Sequence, residues 1–120
     1  MSQILPFQGM LYDQTLVGTI KDVVAPPYDI IDTNGQRRLH DRHPHNIIRM
    51  ELGLDQPGDS PAQNRYTRAA ATLQTWLNEG VLKRDARPAV YYHTIEYTPL
   101  YSAPDAPKKV LRGFLALAKL

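Results

Sequence analysis

An α+β fold is expected from three features of this 120-residue chain. Residues 61–79 place apolar side chains at helical spacing. Residues 89–97 and 110–120 are rich in apolar side chains with an extended pattern. Ten prolines cut the remainder into short pieces. Together these imply a mixed, mostly antiparallel sheet of about four or five strands. One long amphipathic helix (61–79) packs on a face, and a short polar helix spans 34–42. The length suits one domain over 1–120 and not two.

Taken in order, residues 1–21 show little periodicity and read as an irregular segment with a short extended piece. Lys21–Val24 reads as a strand. It enters a stiff loop at Pro26-Pro27, where two φ angles are fixed and two backbone donors are lost. Pro26 also pushes Ala25 into an extended conformation. Thr33-x-x-Gln36 fits a capping box, so a polar helix follows and stops before Pro44. Asn46–Leu52 alternates Arg49 and Glu51 with Met50 and Leu52, the pattern of a half-buried strand. Gly53–Pro61 is a polar loop. Ser60, Pro61 and Gln63 together mark a helix start, and Gly80 stands where a left-handed C-cap is expected. The stripe Tyr66, Ala69, Ala70, Leu73, Trp76 and Leu77 is core, and burying Trp76 or Leu73 contributes roughly 2–3 kcal/mol each. Val81–Lys83 is a short extended piece. Residues 89–97 and 110–120 pair as an antiparallel hairpin with a long, mobile tip. The second of these strands stays apolar to its last residue, as a cut chain would, and its exposed edges invite dimerisation.

Composition excludes several classes of function. With 42% hydrophobic and 22% charged residues, the chain has the make-up of an ordinary globular core. Its net charge of +2 gives no strong field, so a dedicated nucleic-acid surface is not expected. It has no cysteine, which excludes disulfides, thiolate catalysis and thiolate-held metals. No secretory leader pattern and no membrane-length apolar run is present, so a cytoplasmic protein is expected.

Candidate chemistry gathers at three places. Tyr28 and Asp29 follow the double proline and are presented by a rigid loop, although a structural turn joining two buried segments is the simpler reading of that loop alone. Asn46-x-x-Arg49 carries a cation suited to phosphate, although pairing with Glu51 is the simpler use of Arg49. His40, His43 and His45 lack a completing ligand set and read as solvated side chains rather than a metal site. The tyrosines and His93 of 91–97 read as cross-strand packing. There is no Walker motif, G-x-G-x-x-G, H-E-x-x-H or nucleophile elbow.

Several pieces also stand in one order. They are Pro6-Phe7-Gln8-Gly9, Tyr12-Asp13, Val23 to Ile31, His45 to Glu51, Arg65-Tyr66 with Ala69-Ala70 and Leu73, Trp76-Leu77 with Gly80 to Leu82, and Arg112-Gly113-Phe114. In these the chain resembles the N-terminal part of the family known as domain of unknown function 1015, over essentially its whole length. Members of that family are longer than one ordinary domain. They carry a downstream Asp-Gly-His-His-Arg motif that looks like the phosphate loop of free-serine kinases with the ParB/sulfiredoxin-like fold.

The resemblance implies an N-terminal module of a small-molecule phosphotransferase or nucleotide-binding protein, with free serine the leading substrate. The present chain lacks the phosphate loop, and phosphoryl transfer depends almost wholly on positioning and electrostatics. The module is therefore expected to be inactive alone and to be a fragment, a natural short paralogue or one part of a split system. On that reading Asp29 is catalytic and orients or deprotonates a hydroxyl. Tyr28, Asn46 and Arg49 bind substrate or phosphate, and Pro26 and Pro27 shape the loop. No cofactor is expected in the module itself. ATP or ADP with magnesium would belong to a complete protein. The alternative is a non-catalytic ligand-binding or interaction domain that assembles with a second copy or another chain.

Overall fold

The computed structural model describes residues 1–120, and the chain is α+β. In order it forms β1 (Gln3–Leu5), β2 (Met10–Tyr12), α1 (Gln14–Val17), the 3-10 turns η1 (Ile20–Asp22) and η2 (Tyr28–Ile30), and α2 (Thr33–Arg42). There follow α3 (Ile48–Glu51), α4 (Arg65–Asn78), β3 (Leu82–Arg84), β4 (Tyr91–Tyr97), β5 (Lys109–Leu115) and β6 (Leu117–Lys119). The strands form three separate antiparallel pairs, β1–β6, β2–β3 and β4–β5, in place of one sheet of four or five strands. No helix is long and apolar enough to cross a membrane.

Two expected strands are absent, and one side chain accounts for both. Asn46 is fully buried. Its Oδ1 accepts the Ile48 N–H at 3.0 Å, which bends the chain into the single turn of α3. Its Nδ2 donates to the carbonyls of Asp22 (2.9 Å) and Val24 (3.1 Å), and Ile47 N–H donates to Val23 O at 2.7 Å. Three successive carbonyls of 22–24 are thus taken by one Asn-Ile step. That segment has no strand partner and follows the 3-10 turn η1, whose C-cap is Val23.

The chain divides into two compact units, Met10–Arg84 and Met1–Gly9 with Asp85–Leu120. In the first, Val17, Val23, Trp76, Val81 and Leu82 form the buried core, with Tyr12, Ile20, Ile47, Met50, Leu73 and Leu77 packed against it. Trp76 stands on α4, the long helix expected from the sequence. Its start is later than expected. Asn64 accepts the Tyr66 and Thr67 N–H groups and closes a capping box with Thr67, while Ser60 and Gln63 are spent on a preceding turn. Gly80 takes φ +76°, as its C-cap role requires. The Tyr12 hydroxyl donates to His45 O at 2.7 Å, and burial pushes its pKa up to about 12. The short helix α2 is capped by Asp32, whose carboxylate accepts the Gly35 N–H at 2.6 Å, rather than by Thr33.

In the other unit β1 and β6 pair with Ile4 opposite Ala118, and Phe7 bridges Ala89. The hairpin forms as expected, with Tyr91 opposite Leu115 and Tyr97 opposite Lys109. The returning strand breaks after Leu115 into β5 and β6. Gly9 N–H donates to the Tyr91 hydroxyl at 2.7 Å, and that hydroxyl bonds the Asp85 carboxylate. A Cβ on Gly9 would stand 2.7 Å from the tyrosine oxygen, so only glycine fits here. All peptide bonds are trans, including those of the Pro26-Pro27 loop.

Candidate anion-binding site

The site lies within Met10–Arg84 and is built where α2, α3 and α4 meet the 53–56 loop. Gln36 of α2 donates from Nε2 to the carbonyls of Leu52 (3.0 Å) and Gly53 (3.2 Å), which ties the loop to the helix. Arg68 of α4 holds the far side of the loop. Its Nη2 donates to Leu54 O at 2.9 Å, and its guanidinium makes a two-pronged pair with Asp59 at 2.6 and 2.9 Å. That pair holds the Asp59 carboxyl down at about 2 and raises the pKa of Arg68. Between these supports is a cavity of about 230 Å³ lined by His40, Arg49, Gly53, Leu54, Gln56, Arg65, Arg68 and Thr72.

Three guanidinium groups face one small cavity, and their counter-charges are unequal. Arg68 is paired with Asp59. Arg65 makes only a 3.7 Å contact with the exposed Asp55. Arg49 makes no ion pair, so the expected pairing with Glu51 does not form. Its Nη2 donates to His40 O at 2.9 Å, while its buried Nε has no partner. The His40 Nε2 is also buried and unpartnered. Burial and then the Arg49 charge lower the His40 pKa, which favours the neutral ring. The cavity lining thus holds three guanidinium groups and no carboxylate, and the buried Arg49 Nε and His40 Nε2 beside it are unpartnered.

The histidine cluster differs from the solvated one expected. His40 belongs to the cavity. His45 packs edge-on against Trp76 at 5.4 Å, and its backbone N–H donates to His43 Nδ1 at 3.0 Å. No group of three His, Cys, Asp or Glu side chains is placed to hold a metal ion.

The structure separates the residues that the sequence singled out. Arg49 lines the cavity. Asn46 is removed from any ligand surface because its amide is spent on the backbone, and its part is to set the α3 turn that carries Arg49. Pro27 starts η2 with φ −52°. Tyr28, exposed on η2, lines a second cavity of about 320 Å³ with Met50, Glu51, Leu52, Gly53, Arg65 and Tyr66. Asp29 is exposed on η2 and lines neither of these two cavities. Pro26 lines a third space of about 390 Å³ beside Arg38 and Arg42. From sequence His40 reads as a solvated side chain, and Arg65 and Arg68 carry no functional assignment. The signal for the arginines was their i, i+3 spacing, which puts both on one face of α4.

Fold and site together define an α+β chain with an arginine-lined cavity between short helices. The chain belongs to the family described as "Protein of unknown function (DUF1015)", which matches residues 4–120. No curated protein and no solved structure matches it.

Proposed function

We propose that this chain is the N-terminal, phosphate-binding module of a small-molecule phosphotransferase or nucleotide-binding protein. The observation that carries this reading is Arg49, a cation without a carboxylate and with an unpartnered buried Nε, in a cavity shared with Arg65 and Arg68. Arginine forks suit the oxygens of phosphate, and positioning such oxygens is the main task in phosphoryl transfer. Arg49 and His40 bind the anion, and Arg68 with Asp59 braces the wall. The remaining parts of the reading rest on resemblance to free-serine kinases of ParB/sulfiredoxin-like fold. These are ATP or ADP with magnesium as phosphate source, serine as acceptor, and Asp29 as the group that takes the hydroxyl proton.

Isothermal titration of the chain with ATP, ADP and L-serine, with magnesium present, tests this. Binding that weakens at least about tenfold in Arg49→Ala is expected, since a hydrogen bond to a charged group contributes about 1.5–3 kcal/mol. Absence of binding to all three would sink the reading. Turnover unchanged by Asp29→Asn in a longer relative would remove Asp29 from it.

A second reading, a non-catalytic domain that assembles with another copy, is favoured by the hairpin. Ile95, Leu111 and Leu115 share one of its faces and are all exposed. Sedimentation equilibrium decides it: a dimer supports this reading, and a monomer at high concentration removes it.

A further inference from the structure

Resting on the phosphate reading of Arg49, we infer that the ligand is a nucleotide: its purine, bearing an exocyclic amine, lies in the tyrosine-lined cavity, and its phosphate in the arginine-lined one. The two spaces are neighbours, because Gly53 and Arg65 belong to the walls of both. Gly53 keeps that shared wall thin. A Cβ there would come within 3.3 Å of Arg49 O and 3.6 Å of Arg65 Cβ. A larger side chain would crowd both backbones at this shared wall.

The chemistry of the second cavity differs from that of the first. Tyr28 and Tyr66 are 68% and 70% exposed, so neither ring is spent on the core. Met50 and Leu52 add apolar floor, and Glu51 adds an acceptor. The Arg65 guanidinium lies 5.0 Å from the centre of the Tyr66 ring and also donates to its hydroxyl at 3.0 Å. Accessible aromatic rings, an apolar floor and a carboxylate suit a planar ring that carries N–H donors. Size agrees with this division. About 320 Å³ is at the small end of the roughly 300–1,000 Å³ typical of ligand pockets, and about 230 Å³ suits a small anion better than a ring system. Arg65 faces both spaces and would bridge base and phosphate. The arrangement favours a nucleotide over a free amino acid, which has no planar ring for the tyrosines.

The experiment compares ADP with pyrophosphate on the full chain by isothermal titration, in wild type, Arg49→Ala, Tyr28→Ala and Tyr66→Ala. ADP is expected to bind at least about tenfold more tightly than pyrophosphate, the span that stacking on an aromatic side chain supplies. Each tyrosine variant should erase most of that advantage, Tyr28→Ala should leave pyrophosphate binding unchanged, and Arg49→Ala should weaken both ligands. Both rings are exposed, so these substitutions leave the core intact, and circular dichroism checks this. Equal binding of ADP and pyrophosphate, both weakened by Arg49→Ala, would overturn the base site and leave the phosphate reading standing. Failure of both ligands to bind the wild type would overturn the two together. Glu51→Gln reads the last contact: an advantage of adenosine over purine riboside diphosphate that survives it removes Glu51 from the site.

Discussion

Asn46 and Arg49 are three positions apart and do opposite work. Asn46 uses both amide hydrogens and its carbonyl on the backbone, inside the protein. Arg49 lines a cavity, and its buried Nε has no partner. Replacing Asn46 by alanine strands the carbonyls of Asp22 and Val24 and the N–H of Ile48. An unsatisfied buried group costs about 1–3 kcal/mol, and the segments can partly relax, so a loss of about 2–4 kcal/mol is expected. Urea denaturation measures it. An effect below about 1 kcal/mol would mean that Asn46 does not hold α3 to the 22–24 segment. Asn46→Asp should be at least as harmful at neutral pH, because it sets a carboxylate against two carbonyl oxygens. From sequence, Asn46 and Arg49 looked alike: two polar residues in an apolar run. Arg49 was legible as a candidate phosphate ligand because guanidinium chemistry suits that task, and the structure places it in the wall of a cavity. Asn46 was misread because its partners lie 22 and 24 positions away.

Among the elements, α4 and the β4–β5 hairpin were legible, since each carries a long local pattern. The boundaries of α4 were not, because two capping sequences compete four residues apart. Ser60-x-x-Gln63 has the favoured proline after its cap, whereas Asn64-x-x-Thr67 makes both reciprocal bonds. Asn64→Ala should therefore cost about 1 kcal/mol, and Ser60→Ala much less, in thermal denaturation. Equal costs would place the cap elsewhere. The segments 21–24 and 46–52 failed as strands for a different reason. The alternation in 46–52 is real, but an Asx-type bond at Asn46 sets the backbone there, and its amide takes carbonyls of 22–24. The arginine cavity needed tertiary structure to appear, since its walls come from three helices and a loop.

For the folded chain taken together, acid sensitivity follows from four side chains. Burial first, then the charge of Arg49 for His40 and of His43 for His45, lowers both imidazole pKa values below the usual 6.5. The unfolded chain then takes up protons more readily below about pH 6.5, so stability is full above that value and falls as pH drops through it. Asp13, bonded to Lys83 and Thr15, and Asp59, bonded to Arg68, are held at about 2. Their contribution is present above about pH 4, the unfolded carboxylate range, and is lost toward pH 2. Two descending steps are expected in melting temperature against pH, and Asp59→Asn should flatten only the lower one. A single step near pH 4 would mean that the histidines are not buried as described.

The α+β character was legible in composition and pattern. The division into three strand pairs was not, because it depends on which strands fail to form. The place of Arg49 can be read by following the arginine Nε–H resonances in a nitrogen-15 spectrum as ADP and magnesium are added. A large shift at Arg49, with Arg65 moving beside it and with the unrelated Arg112 still, is the expected result. Arg49 unmoved at saturating ADP would contradict an anion site in this cavity.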